Sequence, residues 1–306
     1  NNLISCQVGK ILMNIEKLHQ LKEEQKIEIK TLVNNCLKAD GLNRELYLDN
    51  DINLYENLDS FYLLYDQKQL VSVLTILQMN EREVEVSGYT LPDKRKKGYF
   101  EALLDVAEDE VLDFGINYIQ FVIEPNSSSG KMAALSLGAS YTKSEYLLSL
   151  KLEDYTKKHS EFLLDLKFMV SPLTYRDIMQ AAYIHSEIFN NELEESEKLM
   201  QNVLDTNTMV CYCAKLGDEL IGMCNVNYGK EKASIFGYGI LPKYQGKGYG
   251  IGLINYVLRQ LIKEKITEVN LQVSSNSKKA MKIYDYLGFQ VISQYDYYGY
   301  DIELEE

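Results

Sequence analysis

Between Tyr244 and Gly252 the chain reads YQGKGYGIG, four glycines alternating with larger residues. An apolar run, ASIFGYGIL, precedes it up to Pro242, and LINYVLRQLI follows. In the latter Ile251, Ile254, Leu258, Leu261 and Ile262 recur at helical spacing, which predicts a helix with one apolar face. The order is therefore strand, glycine turn, helix. Glycines let the backbone approach a ligand closely, and the first N–H groups of a helix point outward unpaired. Together they make a site for an anion, most often a phosphate. Two common phosphate motifs fail on spacing. A P-loop needs Ser or Thr after its GK, and Lys247 is followed by Gly248; the G-x-G-x-x-G fingerprint would need glycine at Ile251 or Leu253. The pattern that fits is [QR]-x-x-G-x-[GA], with Gln245, Gly248 and Gly250.

Downstream, TEVNLQV alternates apolar residues like a strand, and NSKKAMKIYDYLGF carries the spacing N-x-x-x-A-x-x-x-Y-x-x-x-G-F at Asn276, Ala280, Tyr284, Gly288 and Phe289. In this order the two motifs resemble the acetyl-CoA loop and the second signature of GNAT-type N-acetyltransferases. That resemblance implies acetyl-CoA as co-substrate, no metal, and direct attack of a primary amine on the thioester. It places the pyrophosphate on the backbone of Gly246, Lys247, Gly248, Tyr249 and Gly250, with Gln245 in the loop motif. The pantetheine arm would lie along the strand end at Ile240, where the family's neighbouring strands splay, and Asn276 would bond the CoA arm. Asn276 could equally cap the following helix. Tyr284 becomes the general acid that protonates the departing thiolate, since a phenol near 10 and a thiol near 8.5 differ little in pKa. Many members carry a glutamate base on the long strand; aligned on Pro242 the position holds Ser234. This departure motivates an alternative reading, a non-catalytic CoA-binding sensor or scaffold.

The chain of 306 residues suggests two domains. Laid over each other so that Leu91-Pro92 falls on Leu241-Pro242, the halves also match Gly98-Tyr99 with Gly248-Tyr249, Asn126-Ser127 with Asn276-Ser277, and Leu137-Gly138 with Leu287-Gly288. We therefore expect an α+β chain of two tandem GNAT domains, each a mixed β-sheet flanked by helices. The polar stretch EDYTKKHSE sets the boundary: 1–158 a degenerate N-terminal copy, 159–306 the acetyltransferase copy. Tandem proteins of the mycothiol synthase type have this architecture. Within the second half, MVCYCAKL and ELIGMCNVNY read as a hairpin about Gly217-Asp218, and FQVISQYDYYGYDIEL as a terminal hairpin. The first half has Arg95 for Gln245, Lys96 for Gly246, Phe100 for Gly250, Ala134 for Tyr284 and Ala139 for Phe289. A benzyl group in the first turn should occupy the phosphate's space or bury itself and reorient the turn, and a Cβ at Lys96 disfavours positive φ. Only the second half should then hold the cofactor.

The net charge of −13 argues against nucleic acid and suits a cationic amine, whether small molecule or peptide. No apolar run approaches the roughly 20 residues of a membrane helix, and NNLISCQVGK lacks the features of a secretion signal. Five cysteines without framework spacing favour the cytoplasm, with the protein a monomer or homodimer. Asp49, Asp51 and Asn53 imitate a calcium loop, but Leu54 stands where its glycine belongs. Cys211 and Cys213 share a strand face and read as core. His19, His159 and His185 are scattered with no nucleophile motif beside them. IEKLHQLKEEQKIEIKTLVNNCL reads as surface helices of the first domain.

Overall fold

A computed structural model describes residues 3–8, 11–51, 53–55, 57–78, 80–158 and 168–302. The expected boundary residue His159 lies outside them. The chain forms two compact units, but they are not its two halves. The first comprises Asn1–Ser144 with Ser293–Glu306, the second Glu145–Ile292.

In the first unit the elements are β1 (Leu3–Val8), β2 (Ile11–Leu18), α1 (Glu23–Asp40), β3 (Phe61–Asp66), β4 (Gln69–Leu77), β5 (Glu83–Thr90), α2 (Tyr99–Asp113), β6 (Tyr118–Ile123) and α3 (Ser128–Ser136). The next strand, β7 (Ser140–Lys151), begins here and ends in the second unit. The second unit continues with α4 (Leu152–Lys158), β8 (Met169–Pro172), α5 (Ile178–Phe189), α6 (Leu193–Asp205), β9 (Met209–Leu216), β10 (Glu219–Tyr228), β11 (Lys232–Ile240), α7 (Tyr249–Lys263), β12 (Glu268–Ser274) and α8 (Lys278–Leu287). The last strand, β13 (Gln290–Asp301), returns to the first unit. The sheet orders are β1-β2-β3-β4-β5-β6-β13 and β7-β12-β11-β10-β9-β8. One parallel pair lies in each, β5 with β6 and β11 with β12, and the rest are antiparallel. This is the expected mixed sheet with helices, twice over. No helix among the described residues is long and apolar enough to cross a membrane.

The final strands are exchanged. Asp296–Asp301 of β13 pair antiparallel with β6, and Glu145–Lys151 of β7 pair antiparallel with β12. The cores follow the strands. Tyr298 and Ile302 join the buried cluster of Tyr62, Leu74, Leu103 and Phe121, while Leu148 and Leu150 join that of Val257, Leu258, Val269 and Leu287. Three expectations are corrected here. The C-terminal stretch is no hairpin but a single strand, because Gly299 serves close approach rather than a turn: a Cβ there would sit 2.1 Å from the Tyr118 hydroxyl. The supposed linker is helix α4, whose Tyr155 is buried and donates to Asn255 Oδ1 at 2.7 Å on α7. The N-terminal surface helices are β2 followed by α1, and α1 buries Ile29, Leu32, Val33 and Cys36.

The exchange makes a prediction. A chain ending at Ile292 loses a whole ladder from the first unit, together with the buried Tyr295, Tyr297, Tyr298 and Ile302, where burying one large apolar side chain is worth about 1.5–3 kcal/mol. Against a typical total stability of about 5–15 kcal/mol, the first unit should unfold. Hydrogen exchange should show residues 61–123 losing protection while residues 209–287 keep theirs. Full protection of both units would refute the exchange.

Candidate active site

In the second unit the site begins where the sheet opens. β11 and β12 pair only from Lys232–Ile235 against Glu268–Leu271. Beyond Ile235, β11 runs on to Ile240 with no strand partner on that side, so its backbone groups there are left out of the ladder. The same strand carries a β-bulge. Met223 pairs with Gly239 but Asn225 with Phe236, so Gly237 and Tyr238 together oppose Cys224. Gly237 takes φ +54, and a Cβ there would meet the Asn225 amide nitrogen at 2.5 Å. The sequence reading missed this. Its signal was the F-G-Y-G run inside a strand, since glycine in a strand interior often marks a bulge or a close approach.

The glycine loop follows a 3₁₀ turn at Pro242–Tyr244. Gly246 and Gly248 have φ +74 and +87, left-handed values that a side chain disfavours. Gln245 Nε2 donates to the Ile240 carbonyl at 3.0 Å and ties the loop to the end of β11. Lys247 is exposed, with Nζ on the Lys243 carbonyl at 3.2 Å, and Tyr249 opens α7 edge-on to Phe168. Leu253, Ile254, Val257, Leu258 and Leu261 bury the inner face of α7. A Cβ on Gly250 would lie 2.8 Å from the Tyr238 hydroxyl and 3.6 Å from Ile240 Cγ1. Tyr284, on α8, is 5% exposed and its ring centroid lies 6.2 Å from that of Tyr238. Ile240, Gly250, Tyr238 and Tyr284 thus converge at the open edge of β11. Burial raises both phenols above their usual pKa, so each keeps its proton at neutral pH.

Asn276 is exposed at the head of α8, but the capping residue is Ser277. The capping alternative for Asn276 is therefore corrected: its carbonyl accepts from Lys278 N, and its side chain is not the cap. Ser234 is exposed. His185, read as one of three scattered histidines, is buried on α5 beside the bulge: its Nδ1 lies 2.9 Å from Ser196 Oγ, and burial lowers its pKa to about 4. Asn225 is fully buried and neither amide atom has a hydrogen-bond partner. Neither residue had a sequence signal, because β10 and α5 read simply as core. Cys211 and Cys213 are indeed buried on one face. Among the described residues no cluster of His, Cys, Asp or Glu could hold a metal.

The first unit repeats this frame and differs in its filling. Its parallel ladder also stops early, at Val86 with Phe121, but β4 and β5 pair without a bulge. Arg95 Nε donates to the Thr90 carbonyl at 3.1 Å, as Gln245 does to Ile240. Gly98 has φ +78 and α2 starts at Tyr99, so the turn is not reoriented. Lys96 itself takes φ +59. A lone left-handed residue costs about 1–2 kcal/mol, and Lys96 takes the positive φ that its Cβ disfavours. The Phe100 side chain turns inward, towards β5. Its ring lies over Gly88, where a Cβ would meet it at 2.7 Å. The halves have exchanged a ring: Tyr238 faces Gly250 in one, and Phe100 faces Gly88 in the other.

Residues 175–289 match the family model described as the acetyltransferase (GNAT) family. No curated protein sequence matches the chain. Among solved structures, a GCN5-related N-acetyltransferase from Sphaerobacter thermophilus is similar with a TM-score of 0.71 at 16% identity, covering 96% of this chain and 97% of that one. A tandem GNAT protein from the clavulanic acid biosynthesis pathway gives 0.66 at 13% identity, with coverage of 95% and 100%. A GNAT-family acetyltransferase from Colwellia psychrerythraea gives 0.59 at 10%, with coverage of 94% and 99%. At these identities the likeness speaks for the fold, and the family model speaks for the second half. The chain has the fold of tandem GNAT proteins, and residues 175–289 within its second half match the GNAT acetyltransferase family.

Proposed function

We propose that the second unit transfers an acetyl group from acetyl-CoA to a primary amine, with Tyr284 as the general acid. The observation that supports this best is the convergence of Tyr284, Tyr238, Gly250 and Ile240 on the unpaired edge of β11. The backbone N–H groups from Gly246 to Gly250 would hold the pyrophosphate at the head of α7, a favourable end for an anion by about 0.3–1 kcal/mol. Lys247 adds a mobile positive charge. The free backbone from Phe236 to Ile240 would take the pantetheine arm as an added strand, and exposed Asn276 can reach the CoA arm.

The amine nitrogen attacks the thioester carbon. A backbone N–H at the end of β11 stabilises the developing oxyanion. The carbon–sulfur bond then breaks, and the Tyr284 hydroxyl gives its proton to the sulfur. Burial lifts the phenol further above the thiol, but a thiolate held in the same apolar setting is lifted as well, which limits the mismatch. The ammonium of the acceptor loses its first proton to water before the attack, because Ser234 is no base; after it, the nitrogen's second proton passes through water to the Tyr284 phenolate and restores the acid. The acidic chain draws in a cationic acceptor. With Ala134 in place of Tyr284 the first copy, 1–158, is catalytically silent beside the active 159–306. Free buried cysteines at 36, 211, 213 and 224 suit the cytoplasm.

Screening an amine panel for thiol release tests the function. Acetyl-CoA binding without release on any amine would favour the sensor reading instead, which Ser234 motivates. With an active amine in hand, Tyr284→Phe should lower kcat by about 10- to 10⁴-fold and leave acetyl-CoA affinity nearly unchanged. Wild-type turnover in that variant would remove the acid from Tyr284.

The ring exchange makes a second prediction. A large side chain at 250 has no glycine opposite it to receive it, so the Tyr238 ring forces it outward into the cleft. Gly250→Phe alone should abolish acetyl-CoA binding. Combining it with Tyr238→Gly recreates the pairing of the first unit and should recover binding. Calorimetry that shows no loss in the single variant would contradict the cradle.

A further inference from the structure

The first unit contains a cleft of about 410 Å³, and its walls account for it. Two tyrosines that close the second unit are absent: Gly88 stands for Tyr238 and Ala134 for Tyr284. Phe100 refills part of that space from the helix side. What remains is lined chiefly by Val86, Phe121, Ile123, Met132, Ala133 and Leu137. Its size and apolar lining are those of a small-molecule pocket.

The polar groups are mostly committed. Arg95 grips Asp40 with both Nη atoms, at 2.9 and 2.6 Å, and Lys94 pairs with Asp66 at 2.7 Å. Glu124 accepts the backbone N–H groups of Asn43 and Arg44 at 2.9–3.1 Å. That fixes the Arg44 backbone, whose carbonyl also accepts from Tyr89 at 2.5 Å. The Arg44 guanidinium differs. It lies over the Tyr295 ring at 4.6 Å, and its Nη1 is shielded from water with no hydrogen-bond partner. A buried charged donor left without an acceptor is costly, and a carboxylate is its best complement.

We propose that this cleft binds a medium-chain aliphatic monocarboxylate, with the chain along the apolar walls and the carboxylate on Arg44. The site is distinct from the acetyl-transfer site, and its test reads the two separately. The probe is decanoate, titrated calorimetrically into the full chain, with decanol and decylamine beside it. Decanoate should bind with one equivalent and more tightly than either analogue. Arg44→Gln should weaken it about tenfold and leave decanol unchanged. Ala134→Tyr restores the ring that the second copy carries, and should abolish decanoate binding while acetyl-CoA still titrates into the second unit. Should Ala134→Tyr melt early, Ala133→Phe fills the same cleft from a half-exposed position with the same expected loss. Any of four results overturns the proposal: no saturable decanoate binding, binding that survives both filled clefts, decylamine binding more tightly than decanoate (which would make Glu124 the recogniser), or acetyl-CoA displacing decanoate.

Discussion

Both cores depend on an exchange of strands. A sheet that lacks its last strand leaves a row of backbone groups unpaired and one face of its core uncovered. Here the missing strand of the first unit comes from the end of the chain, and that of the second comes from residues 145–151. Neither half can complete its sheet from its own sequence. Leu148 and Leu150 pack with Val269 and Leu271 rather than with the residues that precede them in the chain, and Tyr298 packs with Phe121. The first copy therefore has a structural role that does not depend on what its cleft binds.

Within that frame, the two units differ by a few substitutions and one bulge. The loop clamp recurs in each unit, as Gln245 on Ile240 and Arg95 on Thr90, and so do the left-handed residues and the early end of the parallel ladder. The units part at the rings. In the second, Tyr238 and Tyr284 bring two buried phenols to the edge of β11; in the first, Gly88 and Ala134 withdraw both and leave an apolar cleft. The bulge at Gly237 has no counterpart between β4 and β5, and it bends β11 beside Asn225 and His185.

The glycine loop, the apolar face of α7 and Tyr284 were legible in the sequence because each rests on local spacing. Helical periodicity and left-handed glycines are properties of a few adjacent residues, and repetition of the same spacing exposed the tandem halves. The destination of β13 was not legible. Its pattern fits any sheet edge, and only pairing with β6 tells a single strand from a hairpin. Where the Phe100 ring comes to lie was not legible for the same reason. Whether a benzyl group blocks a cleft depends on what stands opposite, and Gly88 lies on a different strand. His185 and Asn225 carried no motif, and tertiary packing alone brings them beneath Gly237. Sequence by itself determined the glycine turn, the helices and strands around it and the repeat, since those follow from neighbours along the chain. Tertiary structure decided which strand completes which sheet and which ring fills which cleft, since those follow from neighbours in space.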